Sequence, residues 1–74
     1  MAATTAATAL AALKRAEAIA PESYSVHLSL GSLYSIERDW AQAERHYDEA
    51  LRLRPGDPAA TRARDSVRAA RGTR

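Results

Sequence analysis

The sequence predicts an all-α fold of four helices that pair as antiparallel helix-turn-helix units. Two observations favour helices over strands: apolar residues recur every three to four positions, and Pro, Gly and Asp divide the chain into segments of helical length. A third is that Ala dominates the apolar residues, whereas Phe is absent. The core must therefore be built by close approach of helices that carry mostly small side chains.

The first helix is predicted over residues 3–20. Its apolar residues form one broad face at helical spacing, and they are Ala6, Ala9, Leu10, Leu13, Ala16, Ile19 and Ala20. Pro21 ends this helix, because a proline ring blocks the next turn. Ser23 can then cap a second helix. The apolar residues of that helix recur at the same intervals and include Val26, Leu30, Leu33 and Tyr34.

Asp39 is predicted to cap a third helix over residues 40–54. Gln42 lies three residues after Asp39, where its side chain can reach back to the Asp39 amide and close a capping box. The apolar residues of this helix again keep a helical spacing, and they are Trp40, Ala43, Tyr47, Ala50, Leu51 and Leu53. A second amphipathic helix therefore follows the first after a very short turn.

A fourth helix is predicted over residues 58–72, with residues 73–74 left as a tail. Asp57 followed by Pro58 is a strong N-cap and first-turn pair, and Gly72 can end the helix. Its inward positions are small, and they are Ala59, Ala60, Ala63, Val67 and Ala70. Arg fills most of the remaining positions, so this helix has the weakest apolar face of the four.

The sequence also contains an internal repeat: when the chain is aligned with itself so that Ala9 falls on Ala43, other residues of like type coincide as well. Five further pairs of residues with like roles coincide at that offset, and they are Leu13 with Tyr47, Ala16 with Ala50, Ile19 with Leu53, Pro21 with Pro55 and Ser23 with Asp57. A spacing of about 34 residues is the period of the tetratricopeptide repeat. Residues 9–23 and residues 43–57 are therefore expected to form equivalent parts of a repeated structural unit.

Residues 24–57 resemble one complete repeat of the tetratricopeptide family. The residues that carry the resemblance are Leu30, Gly31, Tyr34, Ala43, Tyr47, Ala50 and Pro55. The resemblance implies a single domain over residues 1–74, in which 3–20 is the second helix of a partial repeat and 58–72 is a terminal capping helix. Two positions depart from the family pattern, since His27 stands where Trp is common and Arg38 where Gly is common.

The resemblance also implies a function, which is to bind a protein or peptide partner without catalysis. Ligands of the family commonly lie on the face formed by the first helices of successive repeats, here helix two and the capping helix. The residues projected onto that face are Ser25, Leu28, Ser32, Ser35 and Ile36. Leu28 and Ser32 stand where some members carry a Lys and Asn clamp for a peptide carboxylate, so we expect a neutral, partly apolar ligand surface.

Catalytic and metal sites find little support in the sequence. The chain has no phosphate-binding GKS or GKT loop, no GxSxG elbow and no HExxH pattern, and it contains no cysteine. His46 and Glu49 share a helix face, but a metal needs three or four converging ligands. We therefore expect His27 to be a packing residue and His46 a surface residue, with no metal, no cofactor and no enzymatic activity.

The net charge of +2 hides an uneven distribution of charge along the chain. Residues 1–57 carry six basic and eight acidic side chains, whereas residues 58–74 carry five Arg against one Asp. Arg64, Arg68 and Arg71 form a stripe on one face of the fourth helix, which we call the Arg stripe. It is expected to be the solvated face of a capping helix. Anion binding stays open, although the absence of interleaved aromatic residues disfavours nucleic acid.

Self-association is a further expectation from the first helix, which lacks the helix that would precede it in a full repeat. Leu10 and Leu13 offer an apolar strip there, which predicts a homodimer. Glu17 argues against it, since the offset pairs Glu17 with Leu51. Because these two arguments nearly balance, a self-assembling structural unit or an engineered minimal repeat stays open as an alternative function. No apolar run approaches the roughly 18 to 20 residues of a membrane span, so a cytoplasmic location without membrane contact is expected.

Overall fold

A computed structural model describes the backbone of residues 5–72 and the side chains of residues 8–72. The described chain forms four helices and no strand; they are α1 (Thr5–Ile19), α2 (Tyr24–Ile36), α3 (Trp40–Leu53) and α4 (Pro58–Gly72). The all-α prediction is confirmed, and the described ends of α1, α3 and α4 lie within about one residue of the predicted ends. The start predicted at residue 3 and the tail at 73–74 lie outside the described residues.

Three polar side chains begin the last three helices as predicted, each accepting a hydrogen bond from the amide three residues later. The bonds are Val26 N to Ser23 Oγ at 3.3 Å, Gln42 N to Asp39 Oδ1 at 3.4 Å and Ala60 N to Asp57 Oδ2 at 3.1 Å. Ser23 and Asp57, which the internal repeat pairs, thus perform the same task in the two halves of the chain.

The capping box predicted at the start of α3 does not form. The side chain of Gln42 turns along its own helix, where its Oε1 accepts a hydrogen bond from Arg45 Nε at 2.8 Å. The Asp39 amide donates instead to the carbonyl of Tyr34 at 2.9 Å. The turn from α2 already satisfies that amide, which leaves nothing for the Gln42 side chain to accept.

The turn between α2 and α3 is closed by a Schellman-type pair of backbone hydrogen bonds. Arg38 N donates to Ser35 O at 3.0 Å, and Asp39 N donates to Tyr34 O. This arrangement requires a left-handed residue, and Arg38 adopts a φ of 62°. Position 38 therefore has the backbone conformation that favours Gly, although Arg occupies it.

The core lies between α2, α3 and α4. Its buried residues are Leu30, Tyr34, Ala43, Tyr47 and Val67. Ala43 and Ala50 are fully buried on α3, and Gly31 is buried on α2, as expected for small residues where helices pack closely. Consecutive helices pack in order, α1 on α2, α2 on α3 and α3 on α4, with a smaller contact between α2 and α4. No described helix has the length and apolar character needed to cross a membrane.

A side-chain contact joins the start of α2 to the turn before α4. The hydroxyl of Tyr24 donates to Asp57 Oδ2 at 2.5 Å, and the guanidinium carbon of Arg54 lies 4.1 Å from the Tyr24 ring centroid. This hydrogen bond is the main reason that the pKa of Asp57 is lowered and the pKa of Tyr24 is raised. Asp57 therefore caps the first turn of α4 and also links the turn before α4 to the start of α2.

Candidate functional site

A groove of about 420 Å³ opens between α2, α3 and α4. Ser32, Ser35 and Ile36 line it from the last turns of α2, while Trp40 and Tyr47 line it from α3. Ser35 Oγ donates to Gly31 O at 2.9 Å, which ties this hydroxyl to its own helix. The wall is therefore mixed, with an apolar edge and floor beside serine hydroxyls.

The fourth helix closes the groove with small side chains. Ala63, Ser66, Val67 and Ala70 line it, and their spacing of three and four residues places them on one narrow face of α4. None of the described residues that line the groove is charged, although 27% of the chain is charged. The groove is thus suited to neutral, largely apolar groups.

The five predicted partner-binding residues divide into two sets. Ser32, Ser35 and Ile36 line the groove, and Ile36 has 68% of its surface exposed. Ser25 is exposed but does not line the groove, and Leu28 is partly buried against the core cluster. The projection of Leu28 onto the binding face is therefore not met at the groove, because its side chain helps to cover the interior.

Two aromatic residues of the groove were not predicted to belong to it. Trp40 is the first residue of α3 and Tyr47 lies two turns later, and their spacing identified them only as apolar residues of the hairpin. They reach the groove because α4 covers only part of α3. The signal that points to them is their size, since Trp40 is the only Trp of the chain.

The Arg stripe borders α3 and pairs with its carboxylates. Arg68 Nε donates to Glu44 Oε2 at 2.7 Å, and Arg71 donates to the other oxygen of the same carboxylate. The hydrogen bond from Arg68 is the largest cause that holds the pKa of Glu44 below its ordinary value. An added anion would therefore have to compete with Glu44 for these two guanidinium groups.

Arg64 is the most enclosed member of the stripe. Its side chain is 26% exposed, and its terminal nitrogens lie 3.8 Å from Asp48 Oδ1 and 3.9 Å from Asp65 Oδ1. Its Nε is buried without a hydrogen-bond partner among the described residues. The expectation of a fully solvated outer face is therefore wrong for Arg64, which packs between α3 and α4.

The residues expected to mediate self-association lie against the interior of their own chain. Leu10 and Leu13 are partly buried and pack on the core cluster. The large apolar side chain that α1 does expose is Ile19, with 85% of its surface accessible. Leu10 and Leu13 therefore hold α1 on the hairpin, and they do not form the uncovered strip that the sequence suggested.

Two histidines meet inside the helical hairpin. His27 is 3% exposed and His46 is 1% exposed, so the expectation that His46 lies on the surface is wrong. Their Nδ1 atoms are 3.0 Å apart, and the His46 ring also stacks on Tyr34 with centroids 5.5 Å apart. Burial is the main cause that lowers the pKa of His46. This pair belongs to the hairpin interior and lies outside the groove.

Comparison of the chain with protein-family models, with curated proteins and with solved structures finds no match. The fold is compatible with a helical repeat, and the groove and the histidine pair must be interpreted from their own residues.

Proposed function

We propose that this chain is a non-catalytic, tetratricopeptide-type interaction module that binds a neutral, apolar segment of a partner protein in the groove. The internal repeat, whose spacing matches the family period, supports this assignment, as do the paired caps at Ser23 and Asp57. The helices also pack in chain order, as they do in repeat proteins.

The observation that carries the proposal is the chemistry of the groove. Ile36 is exposed at its edge, Trp40 and Tyr47 form its aromatic part, and the lining contains no charged side chain among those that the structure describes. Contact surfaces of protein partners are enriched in aromatic residues and depleted in charge at their centre. The groove has the same composition, so an apolar side chain of a partner can displace water from it at little electrostatic cost.

A protein segment fits this groove better than a nucleic acid does. Nucleic-acid sites need basic side chains along the backbone of the ligand. Here the lining is neutral, and the two guanidinium groups of Arg68 and Arg71 are already bound to Glu44. The serine hydroxyls at the groove can hydrogen-bond to peptide groups, while its volume lies within the usual range of about 300 to 1,000 Å³ for binding pockets.

The proposal is tested by selecting peptides from a displayed random library on the purified domain and titrating them against the fluorescence of Trp40. We expect selected peptides to contain apolar residues and to change the Trp40 emission. Ile36→Glu should weaken binding at least tenfold, because it places a charge at the apolar edge. Ile19→Glu is the matched control, since Ile19 is also exposed but lies on α1.

Equal binding by both variants would overturn the assignment of the groove, and so would a selection that yields only acidic peptides. The alternative occupant of the same groove is a second copy of this chain. Sedimentation from micromolar to millimolar concentration distinguishes the two, because a second copy in the groove would make association depend on Ile36. A chain that stays monomeric and binds selected peptides supports the interaction module.

A further inference from the structure

We propose that Glu17, His27 and His46 bind a divalent first-row transition metal, with Zn²⁺ as the reference ion. The three residues come from α1, α2 and α3, and one ligand atom of each lies within 4.8 Å of the others. None of them lines the groove, so this site is independent of the proposed partner binding. Sequence spacing could not indicate this site, because the three residues lie on different helices and only packing brings them together.

The protons on the two imidazole rings can be assigned from their partners. His27 Nε2 lies 2.7 Å from the carbonyl oxygen of Pro21, which only accepts, so Nε2 carries the proton. The neutral His27 ring therefore presents an unprotonated Nδ1 to the interior. Without a metal, His46 Nδ1 donates to that atom across 3.0 Å, and His46 Nε2 accepts from Arg45 at 3.3 Å.

The same arrangement presents His27 in the form that binds a metal. Histidine ligands usually donate their second ring nitrogen to a carbonyl or a carboxylate, which fixes the tautomer and the direction of the ring. Pro21 already provides this carbonyl to His27. Metal binding would displace the proton between the two Nδ1 atoms. The ion would lie beside the line that joins these atoms, so both rings would have to turn towards it, while the bond to Pro21 keeps the His27 tautomer fixed.

The distance between the rings is also close to the requirement of a metal. Two nitrogens at about 2.0 to 2.1 Å from a tetrahedral Zn²⁺ are about 3.3 Å apart. The Nδ1 atoms need to separate by only a few tenths of an ångström from their present 3.0 Å. His46 Nε2 would then become a donor, and the exposed Arg45 side chain would have to turn away from it.

The donor set determines the class of ion. Two imidazoles and one carboxylate suit Zn²⁺, Co²⁺, Ni²⁺ and Cu²⁺, whereas Mg²⁺ and Ca²⁺ prefer oxygen ligands alone. With three protein ligands, a tetrahedral ion keeps one position for water. The site is therefore expected to bind Zn²⁺ and Co²⁺ with one exchangeable ligand and to ignore Mg²⁺.

The position of Glu17 gives the site a structural consequence. The internal repeat pairs Glu17 with the apolar Leu51, so an acidic residue replaces an apolar one on the face that meets the hairpin. No α1 residue with a described side chain is fully buried, which makes α1 the least enclosed helix. A metal bound to Glu17 and both histidines would fasten α1 to α2 and α3.

The test is a titration of the full chain, without a histidine tag, with Zn²⁺ by calorimetry and with Co²⁺ by visible absorption. We expect one equivalent to bind, the tetrahedral Co²⁺ spectrum to appear, and the thermal midpoint to rise and return with a chelator. Glu17→Gln should weaken Zn²⁺ binding at least tenfold. Glu37→Gln is the control, since Glu37 is an exposed carboxylate at the end of α2.

Imidazole nitrogen resonances provide a readout that does not depend on a histidine variant, which could fail to fold. Zn²⁺ should shift the Nδ1 resonances of both His27 and His46. The proposal is overturned if Zn²⁺ does not bind, if Glu17→Gln binds it as well as the wild type, or if the Nδ1 resonances stay unchanged on saturation. Equal weakening in Glu17→Gln and Glu37→Gln would also overturn it, because the binding would then be nonspecific.

Discussion

The ring of Tyr47 on α3 lies directly against the backbone of Gly31 on α2. A Cβ added at residue 31 would lie 2.5 Å from Cε1 and 2.7 Å from Cδ1 of that ring. Tyr47 is 5% exposed and is part of the core cluster, so moving its ring away would disturb the packing of that cluster. The close approach of the two helices therefore depends on the missing side chain of Gly31.

Gly31→Ala should lower the free energy of unfolding by about 1 to 3 kcal/mol, the usual cost of overpacking. Denaturant unfolding measures this directly. Gly72→Ala is the matched control, because no atom of the described residues lies within 4 Å of a Cβ at residue 72. The loss at Gly31 should shrink in a Tyr47→Leu background, since the clash is with the ring. Equal effects of the two Gly substitutions would contradict this account.

Arg38→Gly should raise the free energy of unfolding by up to about 1 kcal/mol. Arg38 adopts a φ of 62°, and a Cβ in this conformation costs roughly 1 to 2 kcal/mol, which Gly would remove. Part of this gain is lost because Gly also makes the unfolded chain more flexible and so stabilises the unfolded state. Arg38→Ala keeps the Cβ and is the control, so it should bring no such gain. Thermal melts that rank Ala at or above Gly would show that the turn is not strained.

Tyr24→Phe should raise the pKa of Asp57 towards its ordinary value, as measured by carboxyl NMR titration. The Tyr24 hydroxyl is the main cause that lowers this pKa. A carboxyl whose pKa is lowered by folding stabilises the protein above its unfolded pKa of about 3.9, and this contribution disappears as the pH falls through the folded pKa. The variant should therefore lose less stability on acidification, and an unchanged pKa would refute the role of Tyr24.

Replacing Arg68 and Arg71 together by Gln should lower the thermal midpoint. Both side chains bind Glu44, whose side chain is only 18% exposed and would lose its partners. A solvated helix face, as the sequence predicts here, would tolerate such changes. Arg62→Gln is the control, since Arg62 is exposed on the same helix. The decrease should be smaller in high salt, because salt screens the ion pairs. A thermal midpoint equal to that of Arg62→Gln would show that Arg68 and Arg71 contribute no stability through Glu44.

Leu13→Glu should loosen or unfold α1, because Leu13 packs on the core cluster. Circular dichroism should show loss of helix, with a cost of about 2 kcal/mol or more from lost burial and a buried charge. Ile19→Glu is the control, since Ile19 is 85% exposed at the end of the same helix. A Leu13→Glu chain that stays fully helical but loses self-association would instead support the interface predicted from the sequence.

Local chemistry could be predicted from the sequence because it involves neighbouring residues. Ser23, Asp39 and Asp57 were identified as caps, and each accepts a hydrogen bond from the amide three residues later. Pro21 was identified as a helix end, and it lies in the turn after α1. Such signals depend on backbone groups within one turn, so one stretch of sequence is sufficient to predict them.

Contacts between helices were decided only by the tertiary structure. Spacing placed Leu13 on an apolar face, but could not say whether that face meets the core or a second chain. It placed His46 beside Glu49, whereas packing brings His46 to His27 and Glu17 from two other helices. The physical reason is that these contacts depend on the rotation and the distance of whole helices, which are set by the fit of small residues such as Gly31 against Tyr47.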